Sequence, residues 1–480
     1  MRIMHVASEL APFAKTGGLG DVLAGLPRAL AERGHEVVVV LPRYRHIAER
    51  GLDAALARRL RRFPVQLGPE TLEVELWEGP LGASHRCRVW LVDHPPSFDR
   101  DGMYGPRSGG DWPDNARRYA LLCKAALAIA DELDWWPDVV HAHDWQAAPA
   151  MIYAQTPPRD RLHPCRVFTV HNLVFQGYFP PAVIEELGFP RSGFGLDGYE
   201  FYGQVNFLKA GLAYADHVTT VSPTYAREIL SQGTGHGLDG LLRTLGPRLS
   251  GVLNGIDDSV WTPSHDPHLE RTYDAGTLWE KKRDKEALQR ELGLPLRADL
   301  PLAGSVSRLT AQKGTDLLVK AMPRLLKDGL QLVALGTGDG HLEAAMKALE
   351  TAHPDRVRVR LGFDEGLAHR ITAGCDLFVM PSQFEPCGLN QLYAMAYGSP
   401  PVVRAVGGLD DSVVDFDGKS GSGTGFKFAA STDVALEAAV RRAMLVFHDP
   451  GAYAALQRRA MSQDLSWRIP AAAYEKIYRS

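Results

Sequence analysis

The chain has 480 residues, more than one hydrophobic core usually holds, so at least two domains are expected. Its composition, 45% hydrophobic and 23% charged with a formal net charge of −4, gives no electrostatic reason to expect nucleic acid or an acidic membrane as a partner. No stretch is apolar enough for a membrane helix, and five cysteines without paired spacing indicate neither a disulfide framework nor a structural zinc site, so we expect a cytoplasmic protein.

The first predicted strand, residues 3–8, is followed by a glycine-rich loop. Residues 15–22 read KTGGLGDV and lead into a predicted helix over residues 22–33. Glycines let the backbone approach a ligand, the start of a helix presents unpaired N–H groups, and Lys15 adds a full positive charge. The loop therefore predicts a pyrophosphate site. The alternative is an ordinary strand-to-helix turn that happens to carry glycines.

Short β-branched segments alternate with helix-like segments through the first half of the chain. The predicted strands are residues 3–8, 37–41, 89–92, 139–141, 167–170 and 218–221. This alternation is typical of a parallel sheet wound with helices.

Two segments do not follow this alternation. The first is arginine-rich, at residues 58–62, and we expect it to be the solvated face of a helix. Residues 99–118 form a long segment that is polar and rich in glycine and proline, and we expect a mobile lid or an acceptor-binding loop, or else a plain surface loop.

Polar side chains close two of the predicted strands, in HAHDWQ at residues 141–146 and in VHNL at residues 170–173. The carboxyl ends of parallel strands are where α/β folds bind ligands. We therefore expect Asp144 to bind a hydroxyl group and His171 to lie beside a reacting carbon. The alternatives are a core or capping histidine, or a pair of strand-end histidines that holds a metal, for which no third ligand is evident.

A polar stretch over residues 263–274 and a charged predicted helix over residues 278–292 mark the junction with a second domain. A second alternating series follows, with predicted strands at residues 302–307, 331–335, 357–361, 377–380 and 402–403 and a predicted helix at residues 315–326. The predicted domains are residues 1–260 and 261–459, and a helix within about residues 460–480 is expected to return to the first domain. The fold class is therefore α/β, with two Rossmann-like, doubly wound domains and an interdomain cleft at the carboxyl ends of both sheets.

Two segments of the second domain carry candidate chemistry. SRLTAQKG, at residues 307–314, places Arg308 and Lys313 on one loop after a strand, where two cations would suit a departing pyrophosphate. In PSQFEPCGLNQL, at residues 381–392, Glu385 can accept hydrogen bonds from sugar hydroxyls, and the N–H groups of Leu389 and Asn390 can receive a phosphate. The alternatives are surface basic residues near a helix start and an ordinary acid at a helix N-terminus.

Taken in order, seven motifs resemble those of the bacterial glycogen synthases and the related plant starch synthases: KTGGLGDV, HAHDWQA, TVHNLVFQG, LKAGLAYADHVTTVSPTYAREI, GVLNGID, SRLTAQKG and PSQFEPCGLNQLYAM. The resemblance runs from residue 3 to residue 467. It implies a GT-B fold and transfer of glucose from ADP-glucose to the non-reducing end of an α-1,4-glucan such as glycogen, with retention at the anomeric carbon. No metal or other cofactor is required on this interpretation. The alternatives are another donor such as UDP-glucose, another acceptor, or a non-catalytic glucan-binding protein.

The resemblance also implies roles for individual residues. The implied catalytic residues are His171, Arg308, Lys313, Glu385 and Asp144. The implied donor-binding residues are Lys15, Gly18, Asp21, Asn254, Cys387, Gly388, Leu389 and Asn390. Among them, Lys15 and Gly18 would contact the donor's phosphates, and Asp21 would approach its ribose or a nearby phosphate. Glu385 would hold the region of the glucose 3-hydroxyl.

The sequence departs from the wider superfamily at one informative position. Many GT-B enzymes carry Glu-x7-Glu, whereas Tyr393 stands eight residues after Glu385 here, as it does in synthases of this type. Two smaller departures are Phe363, where tyrosine is frequent, and Asn390, where threonine is frequent. Because a covalent glycosyl-enzyme needs a nucleophilic carboxylate with a second acid nearby, the missing pair favours same-face substitution. Two Asp-x-Asp triplets, at residues 99–101 and 415–417, are predicted to be turns rather than metal sites.

Overall fold

The chain divides into two α/β units with separate cores. In the computed structural model, which describes residues 1–106 and 109–480, the first unit comprises Met1–Gly255 and Trp467–Ser480, and the second comprises Ile256–Ser466. The division thus lies at residue 255 rather than the predicted 260, and the returning segment begins at Trp467 rather than near residue 460. The polar stretch that suggested the boundary belongs to the second unit because Trp261 and Tyr273 are buried in a core cluster of that unit.

Twelve strands build the sheets of the first unit, as far as its described residues show. They are β1 (Arg2–Val6), β2 (Glu36–Pro42), β3 (Ala57–Leu67), β4 (Glu70–Pro80), β5 (Cys87–Asp93), β6 (Val139–His143), β7 (Cys165–Val170), β8 (Tyr178–Phe179), β9 (Glu200–Phe201), β10 (Gln204–Asn206), β11 (His217–Thr220) and β12 (Leu249–Gly251). The main sheet has the order β12-β11-β7-β6-β1-β2-β5-β4-β3, and β8, β10 and β9 form a small antiparallel sheet. From β12 to β5 the pairs are parallel, so polar residues that end these strands meet at one edge.

Helices connect the parallel strands of the first unit. They are α1 (Gly18–Glu32), α2 (Arg45–Glu49), α3 (Pro95–Phe98), α4 (Asn115–Glu132), α5 (Asp144–Ala147), α6 (Pro149–Tyr153), α7 (Val183–Leu187), α8 (Phe207–Tyr214), α9 (Pro223–Glu228) and α10 (Asp239–Leu245). α1 begins at Gly18 rather than at the predicted residue 22, so the glycine-rich loop ends in the first turn of the helix. This places the loop's backbone N–H groups at a helix start, as the pyrophosphate hypothesis requires.

The arginine-rich segment at residues 58–62 is not a helix, so that prediction is wrong. It lies in β3, which pairs antiparallel with β4 at the edge of the main sheet. Arg58 on β3 forms an ion pair of 3.0 Å with Glu75 on β4. Cross-strand pairing of this kind decides the structure because strand propensity depends strongly on neighbours in the sheet.

The second unit is one six-stranded parallel sheet with helices between its strands. The strands are β13 (Leu302–Val306), β14 (Gln331–Gly336), β15 (Val357–Leu361), β16 (Leu377–Met380), β17 (Pro401–Arg404) and β18 (Phe426–Phe428), and the helices are α11 (Lys281–Leu292), α12 (Thr315–Lys327), α13 (Gly340–Ala352), α14 (Glu365–Gly374), α15 (Asn390–Ala396), α16 (Gly407–Ser412), α17 (Asp433–Phe447) and α18 (Pro450–Met461). Its strand order is β15-β14-β13-β16-β17-β18, all parallel. Counted within the unit this is 3-2-1-4-5-6, the order of a Rossmann fold, whose ligands bind where the winding reverses between the first and fourth strands.

The last helix, α19 (Arg468–Tyr478), belongs to the first unit, where it packs on α1. Its approach is close, because a Cβ atom added at Gly25 would lie 1.9 Å from Nε1 of Trp467. Tyr478 is buried, and its hydroxyl lies 2.8 Å from Nδ1 of His141 on β6. The C-terminal segment therefore completes the core of the N-terminal unit. Within the described residues, no helix combines the length and the apolar character needed to cross a bilayer.

Candidate active site

The glycine-rich loop after β1 is held in place by a buried carboxylate. Glu9, which is 4% exposed, accepts hydrogen bonds from the backbone N–H groups of Thr16 at 2.8 Å and Gly17 at 3.2 Å. It also accepts the Thr16 hydroxyl at 2.5 Å and the Tyr104 hydroxyl at 2.7 Å. The loop is thus fixed before any ligand arrives, which is the condition for a preorganised anion site.

Lys15 forms an ion pair with Asp21 in the first turn of α1, with 2.8 Å between Nζ and Oδ1. Both side chains are about one quarter exposed, so the cation remains open to a ligand from solvent. Gly20 makes the local packing possible, since a Cβ atom there would lie 3.2 Å from Cβ and Cγ of Lys15. The structure therefore brings Lys15, Gly18 and Asp21 together in one turn, and their roles toward a donor stay a prediction.

Asp144 and His171 lie next to each other at the ends of β6 and β7. The Asp144 carboxylate accepts the backbone N–H of His171 at 2.7 Å, and burial raises the pKa of Asp144 to about 7. Asp144 has φ of +57°, a left-handed conformation that costs energy for a residue with a Cβ and that clusters at functional sites. Burial also lowers the pKa of His171 to about 3, so its imidazole is neutral near pH 7.

A ladder of buried histidines runs from His171 into the sheet. Nε2 of His171 lies 3.0 Å from Nδ1 of His143, and Nε2 of His143 lies 3.0 Å from Nδ1 of His5 on β1. His141 pairs with the Thr169 hydroxyl at 2.6 Å through its Nε2. No third group beside the strand-end histidines is evident in the sequence, but the structure supplies one: His5, His141 and His143 have ring nitrogens within 4.8 Å of one another. The sequence could not show this, since His5 lies far away along the chain on the neighbouring strand.

In the second unit, Lys313 and Glu385 form an ion pair beside the point where the Rossmann winding reverses. Nζ of Lys313 lies 2.5 Å from Oε2 of Glu385, and the side chains are 19% and 6% exposed. The Ser382 hydroxyl donates a hydrogen bond of 3.1 Å to the same oxygen. Lys313 lies on the loop after β13 and Glu385 on the loop after β16, so adjacent strands bring them together. The separate sequence motifs therefore form one cluster.

Glycines let the two loops approach each other closely. Gly314, with φ of +69°, leaves no room for a side chain because a Cβ atom would lie 2.0 Å from the carbonyl oxygen of Pro381. Gly388, with φ of +72°, follows Glu385 in the other loop. The backbone N–H of Gln383 donates to the carbonyl oxygen of Gln312 at 2.8 Å and joins the loops directly. The position of the Glu385 carboxylate is thus set by backbone contacts on both sides.

The remaining predicted residues are distributed over both units. Arg308 is exposed and donates to the side chain of Gln312 at 3.2 Å. Asn390, the first residue of the seven-residue helix α15, donates its amide to the carbonyl oxygen of Val306 at 2.6 Å, and Leu389 precedes it. Cys387 is buried between Glu385 and Gly388.

Asn254 lies next to Gly255, where the main segment of the first unit ends, and it is 7% exposed. Its Oδ1 is buried without a hydrogen-bond partner among the described residues. An unsatisfied buried oxygen is expensive, so such an atom points to a group supplied by a ligand or water. This observation is compatible with the predicted contact to the donor's sugar, which stays a prediction.

Two predictions about loops, for residues 99–118 and 415–417, can be compared with the structure. In the segment 99–118, Arg107 and Ser108 lie outside the described residues; in the described part, buried Arg118 binds the carbonyl oxygens of Ser97 and Met103. The lid hypothesis is therefore still untested. The triplet at residues 415–417 is engaged in protein contacts, since Asp415 pairs with Arg442 at 3.0 Å and Asp417 accepts the Lys419 backbone N–H at 3.0 Å.

Comparison with known proteins assigns the chain to a family. The model of the starch synthase catalytic domain matches residues 2–244, and that of glycosyl transferases group 1 matches residues 285–461. The chain is 51% identical to a glycogen synthase of Anaeromyxobacter dehalogenans strain 2CP-C over 100% of its length and 99% of that protein. The chain belongs to the starch and glycogen synthase family. Its motif-based family resemblance and predicted GT-B fold class are thereby confirmed.

A solved structure extends this likeness to three dimensions. The catalytic domain of starch synthase IV from Arabidopsis thaliana, bound to ADP and acarbose, superposes with a TM-score of 0.88 at 34% identity, covering 99% of this chain and 98% of that one. Members of this family are glycosyltransferases, and the chain is accordingly an enzyme of the glycogen synthase type. Three residues that position the site were missed by the sequence analysis: Glu9, His5 and Ser382. The only signal for Glu9 was a carboxylate within an otherwise apolar segment.

Proposed function

We propose that this glycogen synthase family member transfers glucose from ADP-glucose to the non-reducing end of an α-1,4-glucan, with retention and without a metal cofactor. The observation that carries the choice of donor is the family member of known structure, 34% identical over nearly the whole chain, that was solved with ADP and acarbose. ADP is the leaving group of ADP-glucose, and acarbose is a glucan-like oligosaccharide. A cytoplasmic location is part of the proposal; no disulfide joins the five cysteines, all of which lie within the described residues.

The charge distribution supports a diphosphate leaving group. Negative charge grows on the diphosphate as its bond to the sugar breaks, and fixed cations stabilise this charge better in the transition state than in the ground state. Arg308 and Lys313 lie on one loop of the second unit, and Lys15 lies beside the start of α1 in the first. On this proposal Arg308 and Lys313 stabilise the charge that develops on the departing diphosphate.

The two candidate carboxylates are poorly suited to nucleophilic attack, which supports same-face substitution. Glu385 is paired with Lys313 and hydrogen-bonded to Ser382, and Asp144 accepts the backbone N–H of His171. In the proposed step the bond between the anomeric carbon and the phosphate oxygen breaks. The acceptor's 4-hydroxyl oxygen bonds to that carbon from the same face, and its proton passes to the departing phosphate. The products are ADP and a glucan longer by one unit.

The direct test is a donor panel with glycogen as primer, run with purified wild-type enzyme and with Arg308→Ala. Wild-type enzyme should use ADP-glucose in preference to UDP-glucose, and a chelator should leave the rate unchanged. Arg308→Ala should lower kcat by roughly 10²–10³-fold, as loss of one charge-stabilising donor does. The matched control is Arg360→Ala, an exposed arginine on β15, which should leave kcat unchanged. Preference for UDP-glucose, loss of activity with chelator, or no transfer from either donor would each contradict the proposal.

A further inference from the structure

The histidine ladder connects His171 to two side chains that no ligand can reach. His143 and His5 are fully buried, and each is joined to the next ring by a nitrogen-to-nitrogen distance of 3.0 Å. Burial keeps all three rings neutral, so each ring carries one proton and must either donate or accept at each contact. The tautomers of the three rings are therefore coupled.

Two arrangements of protons satisfy both contacts. In the first, Nδ1–H of His5 donates to His143, and Nδ1–H of His143 donates to Nε2 of His171, which leaves His171 protonated at Nδ1. In the second, every donor is reversed, and His5 carries its proton at Nε2. The two arrangements differ at the inner end of the ladder, where His5 Nε2 is unprotonated in the first and protonated in the second.

The surroundings of His5 favour the first arrangement. Its Nε2 is buried and has no hydrogen-bond partner among the described residues. In the second arrangement this atom would be a buried N–H without an acceptor, which is among the rarest features of folded proteins, whereas a bare acceptor is tolerated more often. The inner end of the ladder thus selects the tautomer at its outer end.

We propose that His5 and His143 are positioning residues that hold His171 as its Nδ1–H tautomer, so that it donates a hydrogen bond to an oxygen of the donor sugar. This inference rests on the proposed function, because the sugar donor supplies the acceptor for the Nδ1–H group. His171 itself is partly exposed, and no contact within the described residues occupies its Nδ1. A histidine of the opposite tautomer would present a bare acceptor there instead.

A metal ion is the competing occupant of this cluster, since His5, His141 and His143 could approach one ion. The hydrogen bonds of these histidines argue against a bound metal ion. Both nitrogens of His141 are engaged, with Thr169 and Tyr478, and both nitrogens of His143 are engaged with neighbouring histidines. A metal ion bound by all three rings would have to break these contacts.

The test compares wild-type enzyme with His5→Leu and His5→Asn by ¹⁵N-imidazole NMR and steady-state kinetics. In wild-type protein without ligand, we expect the His171 ring to be protonated at Nδ1 and not to titrate between pH 5 and 8. His5→Leu removes the inner donor, so His171 should show mixed tautomers and kcat should fall roughly two- to tenfold. His5→Asn can place an amide N–H where Nδ1 stood and should recover most of kcat. The control His94→Leu changes a histidine bound to Ser97 outside the ladder and should alter neither readout.

Three results would overturn the inference: an Nε2–H tautomer of His171 in wild-type protein, a stoichiometric metal in elemental analysis, or equal kcat losses in both His5 variants that follow their melting temperatures. The wild-type spectrum decides the question even if His5→Leu does not fold. The NMR readout does not depend on activity. A wild-type enzyme that shows the expected tautomer but transfers no glucose would refute the proposed function while leaving the ladder's proton order intact.

Discussion

Removing Lys313 should destabilise the protein far more than removing an exposed lysine of the helix that follows it, α12. At 2.5 Å and an effective dielectric constant near 20, the attraction between Lys313 and Glu385 is about 7 kcal/mol before the cost of taking both charges out of water. Desolvation offsets much of that attraction. Loss of one partner, however, leaves the other charge buried, which typically costs 3–5 kcal/mol. Because Lys313 is 19% exposed, we expect Lys313→Met to lower the free energy of unfolding by about 3 kcal/mol, at the low end of this range.

The partner substitution should cost less, because the two groups differ in burial. In Lys313→Met the Glu385 carboxylate, 6% exposed, keeps Ser382 as a hydrogen-bond donor but loses its counter-ion. In Glu385→Gln the ammonium group retains an amide oxygen to bind and partial access to water, so we expect a loss of about 1–2 kcal/mol. The double variant should be more stable than the sum of the single losses predicts, which would measure the coupling directly.

The assay is urea denaturation followed by circular dichroism, with Lys320→Met as the matched control. Lys320 lies in α12, the helix that follows the loop carrying Lys313, and it pairs with Asp316, but at 3.8 Å and with its side chain 63% exposed. Such a surface pair contributes about 0.5 kcal/mol or less. If Lys313→Met and Lys320→Met lowered the free energy of unfolding equally, the pair would be as screened as a surface one and this reasoning would be refuted.

Three further predictions concern backbone space, charge and the C-terminal helix. Gly314→Ala should lower the free energy of unfolding by roughly 2 kcal/mol or more, because the positive φ and the Pro381 carbonyl leave no room for a Cβ atom. The control is Gly240→Ala, in open space on α10, which should raise the free energy of unfolding by about 0.5 kcal/mol in the same urea assay. Burial raises the pKa of Asp144 in the folded state to about 7, against an ordinary 3.8. The contribution of this group to stability is therefore fully present below about pH 4 and is lost as the pH rises toward 7. Asp144→Asn should flatten the dependence of the free energy of unfolding on pH between these values. Tyr478→Phe should lower the melting temperature, since it removes the hydroxyl partner of a buried histidine nitrogen, and an unchanged melting temperature would contradict that.

The sequence was sufficient for features that depend on local pattern. Buried parallel strands such as β2 are continuous apolar runs, and the glycine-rich and polar segments singled out as candidate loops follow strands in the structure. The order of these motifs also identified the family, because glycosyltransfer chemistry needs particular residue types at each loop. The edge hairpin of β3 and β4 escaped prediction because the first half of β3 is rich in exposed arginines, and its apolar alternation, at Val65 and Leu67, begins only near the end of the strand. The short strands of the small antiparallel sheet gave too little pattern to detect.

What the sequence by itself determined was the family, and which types of side chain stand at the ends of the strands: cations, carboxylates and histidines. Only the tertiary structure decided how they pair. Lys313 meets Glu385 because β13 and β16 are neighbours in the sheet, and His5 meets His143 because β1 and β6 are neighbours. The physical reason is that strand order in a doubly wound sheet differs from chain order, so contacts between distant motifs, and the proton order and ion pairing that follow from them, are set by packing of the whole unit.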